Sequence, residues 1–553
     1  MADNLSSRLA SELPQGHTFG VYHLSTPPTR TDALYYAPPG QRPDRTYIES
    51  HFLAVTVSSS RDSKLLKESA SGSRDDEAIA FALEVFVFTT KYATTIFVAK
   101  ADSSGYLHLL GLPKGTPSPI RAVTSAFLAH LVGNRKRPGV KCVVSLFARA
   151  QAQYLFPGSV DNPGKHVLDD RSLVRWWHSV LDPLLSGSND DVRKNSESGD
   201  DKEAHGYLVV PGLDQYETRS LLSRRPGTGQ PPHWTLGHPL EKISHHCATT
   251  TDSLPPPRCL IPRYPDDPKA RYLDELDEEA MRGHDRRSDA KDGKEQRQGW
   301  NGQWKSVRSL DQFWEMLAFR QECSSGRLTG FLWVVFPKET RQPKDSGKQG
   351  TAFSHGRKAK QKRKTRKALR GYIRSRRPRP KTQQRNLLAA RPANTPYYRW
   401  PVAGRGRLLV DENDYKRINE LLLQLDFRTL EKSVNSTRRW VQEAGVGSGE
   451  WRMTVVGQLP VAAISTTNRH ANAATVVTDV SGSVQRKRAP SEADGKASAL
   501  TLNRSSSNGV NVLSTGLMRK KQKQEESVPV EPIIAPPAVN VLSAGLVRKK
   551  AKT

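Results

Sequence analysis

"LEVFVFTTKYATTIFVAKADSSGY" runs from Leu83 to Tyr106 and sets the fold class. Its halves, "LEVFVFTT" and "TTIFVAKADSSGY", are dense in β-branched and aromatic residues, and a Ser-Ser-Gly turn closes the second; both read as strands. Upstream, Leu5–Leu13 reads as a short helix ended by Pro14. Downstream, "AVTSAFLAHLVG" (Ala122–Gly133) has helical apolar spacing and a glycine stop. "VKCVVSLFARAQAQYLFPGS" begins as a buried strand and ends in a proline turn. "DDRSLVRWWHSVLDPLL" opens with acids and predicts a helix to Leu181, with Pro183 placed to kink or end it. Helical patterns follow in "LDELDEEAMRGHD", "SVRSLDQFWEMLAFRQEC", "ENDYKRINELLLQLDF" and "TLEKSVNSTRRWVQEAG", and strands in "GRLTGFLWVVFP" and "EWRMTVVG". Strands and helices mix without a repeated strand–helix unit. The expected class is therefore mixed α/β, one central β-sheet surrounded by helices.

Composition bounds the rest. The 553 residues are 36% hydrophobic, with 37 Pro and 39 Gly, below the roughly 45–50% of ordinary globular chains. A real core is expected beside a large unfolded share: a domain over residues 1–464, carrying a polar loop at 186–206 and a disordered basic insertion at 338–391, then a disordered basic tail over 465–553. The formal net charge of +29 predicts acidic partners. Between His355 and Arg385 stand fifteen Lys/Arg and no Asp/Glu, so about half of that excess lies in one stretch. The four cysteines are widely spaced and form no CxxC pair, so neither a zinc ribbon nor a disulfide scaffold is suggested. "SHHC" (Ser244–Cys247) has metal-ligating residue types without a second pair at a recognisable spacing, and reads as incidental; no metal is expected. The start of the chain shows no apolar leader, and no run is long enough to span a bilayer, so a soluble protein of a reducing compartment is expected.

"IPRYPDDPKARYLDEL" (Ile261–Leu276) locks Asp266 and Asp267 between Pro265 and Pro268, with Lys269 and Arg271 close behind. Prolines restrict the backbone on both sides. Neighbouring carboxylates repel, which raises the proton affinity of one and makes it a better base, while Lys269 and Arg271 oppose that shift. Such a pair suits general-base chemistry, the removal of a proton from an attacking group.

Four stretches in order carry a family resemblance: "FVAKADSSGY", "LFARAQAQYLFPGS", "KHVLDDRSLVRWW" and "YPDDPKARYLDELDEE". Together they resemble the fungal histone H3 lysine acetyltransferases named for regulation of Ty1 transposition, whose fold is that of the CREB-binding-protein acetyltransferases. The resemblance implies an acetyl-CoA cosubstrate. Ala101 and Asp102 would lie beside its pantetheine, and Pro117, Ser118, Pro119, Ile120 and Arg121 would wrap the pyrophosphate. Phe147, Gln151, His166, Val167, Leu168 and Trp176 would complete that pocket. It implies that Tyr154, Trp177 and Arg271 line a tunnel for the substrate lysine. Asp266 and Asp267 would stand at its mouth, with Asp267 the proton acceptor, and Lys269 would be autoacetylated. Histone H3–H4, histone chaperones of the anti-silencing-function and nucleosome-assembly types, and a nuclear location complete the expectation.

Other readings stand beside these. Asp-Asp-Pro also suits a turn with a helix cap, and Asp102 suits a cap on its own turn. On one helix, Trp176 and Trp177 point about 100° apart, so one is expected in the core and the two cannot face one pocket centre. Arg149, Arg171 and Arg175 suit either solvent or a coenzyme A phosphate. The competing function is a non-catalytic basic chromatin or nucleic-acid-binding scaffold, with the insertion contacting DNA; the near absence of interleaved aromatics (Tyr372 alone) argues against it. In the tail, "VNVLSTGLMRKK" (Val510–Lys521) recurs as "VNVLSAGLVRKK" (Val539–Lys550), which suits a duplicated nuclear-import signal and a duplicated docking peptide equally.

Overall fold

The computed structural model describes residues 4–58, 77–113, 115–186, 203–222, 233–249, 254–288, 303–320, 327–338 and 388–460. The chain divides into units Met1–Thr478 and Asp479–Thr553, the second wholly outside the described residues. So do nearly all of the expected polar loop and basic insertion, and the duplicated tail motif.

Eleven strands among the described residues build one sheet. They are β1 (Thr18–Ser25), β2 (Thr29–Thr31), β3 (Thr46–Ser58), β4 (Glu77–Thr89), β5 (Ala93–Ser103), β6 (Lys141–Arg149), β7 (His205–Val209), β8 (Trp234–Leu236), β9 (Thr329–Phe336), β10 (Leu408–Leu409) and β11 (Arg452–Val456). The order is β10-β1-β3-β4-β5-β6-β9-β7-β8, with β11 paired to β1 and β2 to β3. Most pairs are antiparallel, but β5 and β6 run parallel, joined by α2 (Pro119–Arg135).

Period-two alternation splits the sheet into two buried faces. Leu53, Val55, Cys142 and Val144 face α1 (Leu5–Glu12), α2 and α3 (Asp170–Ser186), in a core that includes Leu9, Phe127 and Val180. The chain continues through the short α4 (Gln215–Arg219), α5 (Leu240–Ile243) and α6 (His246–Thr249) to α7 (Ala270–Ser288) and α8 (Leu310–Ala318). These last two cover Val143, Phe331 and Trp333 on the opposite face. The same face farther along receives α9 (Glu412–Leu422) and α10 (Leu430–Gly445), whose Ile418 and Trp440 pack on Phe52 and Ala54. Side-chain caps from Asn4, Ser309, Asp411 and Thr429 satisfy the first amides of α1, α8, α9 and α10. Pro183 falls in the last turn of α3, and the helix runs on to Ser186 rather than ending at Leu181.

The central strands β1 and β3 carry no clear sequence signal, because buried polar residues interrupt them. His23 Nε2 and His51 Nδ1 stand 2.9 Å apart, and Glu49 takes a paired contact from Arg135 of α2. Partners from distant elements make these residues tolerable inside a sheet covered on both faces.

Candidate active site

The site begins where two strands part. Parallel pairing of β5 and β6 ends at Val98↔Leu146. β5 continues to Ser103, still paired with β4, and β6 continues to Arg149, still paired with β9. A bulge skips Ala99 in the β4–β5 ladder and bends β5 away from β6. The result is a wedge of about 370 Å³ lined by Val98–Ser103 and by Phe147, Arg149 and Gln151.

Helices and loops wall it in. Ser118 and Ile120 bring the N-terminus of α2, which has no acidic residue in its first turn, to one end of the cleft. Such an end presents free N–H groups and positive dipole to an anion. Gly164–Leu168 forms one rim, and Leu173, Trp176 and Trp177 come from α3. Val167 and Leu168 are 48% and 37% exposed, apolar surface that a bound ligand would cover. Gly105 and Gly164 let two loops touch, since a Cβ on Gly164 would stand 2.5 Å from the Gly105 carbonyl oxygen.

Asp102 organises one wall. Its Oδ2 accepts the N–H groups of Tyr154 at 2.7 Å and Leu155 at 2.9 Å, while Oδ1 meets Lys165 Nζ at 2.9 Å. The carboxylate therefore holds the turn after β6 against the end of β5. Burial pushes the Tyr154 hydroxyl up to about 12, and that hydroxyl donates to the Arg149 carbonyl. Lys100 lies between Glu84 Oε2 (3.2 Å) and Asp266 Oδ2 (3.3 Å). Burial works against its charge, but Glu84 and then Asp266 outweigh it and hold the ammonium above the ordinary lysine range.

The acid pair departs from the expected arrangement. Among the described residues, neither Asp266 nor Asp267 lines the wedge. Asp266 is exposed, with a left-handed φ of 53° that a non-glycine residue rarely adopts. Asp267 turns inward. Its side chain is 0% exposed, and Lys269 Nζ lies 2.7 and 2.6 Å from its two oxygens. The N–H groups of Tyr264 and Lys269 also donate to it. A buried carboxylate requires such partners. Lys269 borders a small cavity of about 10 Å³, and Phe147 lines both this cavity and the wedge.

The wedge gathers Ala101, Asp102, Ser118, Ile120, Phe147, Gln151, Tyr154, His166, Val167, Leu168, Trp176 and Trp177. Pro117 and Arg121 point to solvent and Pro119 is buried as the first residue of α2, so those three stand outside the lining. Arg271 also departs from expectation: it lies on the exposed side of α7, 70% open to solvent, 3.5 Å from Glu275. Both tryptophans border the cleft, with Trp177 in the core and Trp176 partly buried against it, as the angle between adjacent helical positions requires. Their rings pack edge to face at 4.8 Å, with Trp177 5% exposed, so two large indoles reach the same wall from adjacent positions. Gly164, Lys165 and Leu173 also line the wedge without a local pattern that marks them, although Lys165 directly precedes His166 in "KHVLDDRSLVRWW".

The histone acetyltransferase KAT11-type domain matches residues 5–142 and 135–443. The histone acetyltransferase rtt109 of Aspergillus flavus is 38% identical, over 94% of this chain and 99% of its own length. The histone acetyltransferase rtt109 of Schizosaccharomyces pombe is 34% identical over 47% of this chain and 57% of its own. The crystal structure of Rtt109 from Aspergillus fumigatus superposes with a TM-score of 0.61 at 37% identity, covering 83% of this chain and all of that one.

Proposed function

This chain belongs to the fungal Rtt109 histone acetyltransferases, and from that premise we propose that it acetylates lysines of histone H3, presented with H4 by histone chaperones of the anti-silencing-function and nucleosome-assembly types, in the nucleus. The family implies acetyl-CoA as cosubstrate. The observation that carries the reading is the wedge between β5 and β6, with Phe147 between it and the Asp267–Lys269 pair. The residues fit an acyl-CoA: an apolar wall from Ala101, Ile120, Leu173 and Trp176, exposed Val167 and Leu168 at the rim, and a helix N-terminus for phosphate. Acetyl-CoA supplies an activated acetyl thioester.

In this reading the chain positions and deprotonates the acceptor lysine. Unpaired backbone at the free edge of β5 orients the acyl donor, and Asp102 with Lys165 keeps the opposing turn in place. Tyr154 and Trp177 guide the lysine, while Arg271 stands outside the tunnel. Lys269 acetylation replaces an ammonium by an amide and releases both oxygens of Asp267 to accept the proton of the incoming amine. Asp266, held by Lys100, attracts the ammonium to the mouth.

Labelled acetyl transfer to H3–H4, with and without a histone chaperone, tests the substrate. Incorporation into H3 that rises with the chaperone is expected. Transfer confined to another histone, or indifferent to chaperones, overturns the H3 and chaperone parts.

A further inference from the structure

Outside the cleft, tertiary folding assembles a group that the local "SHHC" stretch does not display. Asp44, in the loop before β3, meets His245 and His246 from a segment some two hundred positions later. One ligating atom of each residue lies within 4.8 Å of the others, and His245 Nδ1 stands 3.5 Å from Asp44 Oδ2. Two ligands held at about 2.0–2.1 Å by tetrahedral Zn²⁺ are roughly 3.3–3.4 Å apart, so that pair is already near a tetrahedral edge. We propose that Asp44, His245 and His246 form a binding site for one divalent transition-metal ion of the zinc type.

The surroundings are organised for this. Tyr92, in the turn between β4 and β5, stacks on the His245 ring at 3.8 Å and 10°, which fixes the imidazole plane. His246 is 7% exposed, and its N–H donates to Ser244 Oγ, which starts the short α6. The two imidazoles sit 3.9 Å apart centre to centre. Cys247 does not join them: it packs on the apolar cluster with Leu240 and Ile243. Two imidazoles and one carboxylate suit Zn²⁺ or a neighbouring first-row ion rather than Mg²⁺ or Ca²⁺, which prefer oxygen alone. Asp44 and His245 are each 25% exposed at the side chain, which leaves a fourth position open to water. A bound ion would staple the loop before β3 to the segment that runs on toward Asp266–Lys269.

The test uses the full chain, stripped with a chelator and titrated with zinc chloride in competition with a chromophoric zinc indicator. Co²⁺ absorption in the visible reports the coordination number. One equivalent of tight binding and four-coordinate cobalt bands are expected. Asp44→Asn and His245→Ala should each weaken binding at least about tenfold, the lower end of what losing even an outer partner costs. His205→Ala, a histidine elsewhere in the fold at the start of β7, should not. Melting temperatures without metal check that each variant folds, and either one suffices. Absent binding, or affinity and bands unchanged in a folded Asp44→Asn or His245→Ala, overturns the site.

Discussion

Removing either partner of the Asp267–Lys269 pair should reverse the pH dependence of stability according to which partner is lost. The side chains are 0% and 4% exposed, so neither charge can turn to water when the other goes. In Asp267→Asn the single amide oxygen can keep only one of the N–H groups of Tyr264 and Lys269, which donate to different carboxylate oxygens, so the charge and one backbone hydrogen bond are lost. A stranded ammonium that stays charged costs about 3–5 kcal/mol. Giving up its proton at pH 7 costs about 4.6 kcal/mol, from a free value near 10.4 at 1.36 kcal/mol per unit. The two routes are comparable, so the deficit at neutral pH should be about 3–5 kcal/mol. With lysine neutral in the fold, the unfolded chain binds one more proton, and stability rises with pH toward the free lysine value. The deficit of Asp267→Asn against the parent should then shrink by about 1–2.5 kcal/mol between pH 7 and 9, more the costlier the stranded charge. Lys269→Met is the mirror case. Its stranded carboxylate takes up a proton at about 4.2 kcal/mol at pH 7, the folded chain binds the extra proton, and the deficit shrinks as pH falls toward 5. The double variant Asp267→Asn/Lys269→Met should lie within about 1 kcal/mol of the parent, since neutral packing often matches a buried pair. Urea unfolding at the three pH values reads all of this. Parallel pH slopes in the two single variants, or single deficits below about 1 kcal/mol, refute the picture of a closed ion pair.

Trp177→Ala should lower stability by about 3–5 kcal/mol, because the ring is core; Trp176→Ala should instead raise the acetyl-CoA dissociation constant, with calorimetry separating the two. Val167→Asp or Leu168→Asp should weaken acetyl-CoA binding about tenfold or more without shifting the melting temperature, as each desolvates a charge only in the complex. Lys100→Met should cut kcat about 10–100-fold by releasing Asp266, with Lys100→Arg restoring much of it and acetyl-CoA affinity little changed; equal loss in both variants refutes a positioning role. Deleting Gly356–Gln384, which lies outside the described residues, should leave the melting temperature of the core unchanged, because so polar a stretch has few apolar side chains to bury.

Local pattern was enough for much of this chain. The aromatic and β-branched runs at Leu83–Tyr106 became β4 and β5, and helical spacing with acids in front became α3, because period and capping are properties of neighbours along the chain. The mixed α/β class and half of the residues lining the wedge followed from such stretches and from the family likeness they carry. What escaped depends on residues far apart in number. β1 and β3 look too polar to be central strands until Arg135 meets Glu49 and His51 meets His23. The same limit applies at the site. Two prolines mark the Asp-Asp turn as rigid but do not say which carboxylate turns inward. The sheet face beneath Tyr264 and the ammonium of Lys269 draw Asp267 into the core and leave Asp266 to water, because burial of a charge requires a partner at contact distance. His245 and His246 acquire Asp44 only when the loop before β3 folds against them, since a ligand set is defined by distance in space.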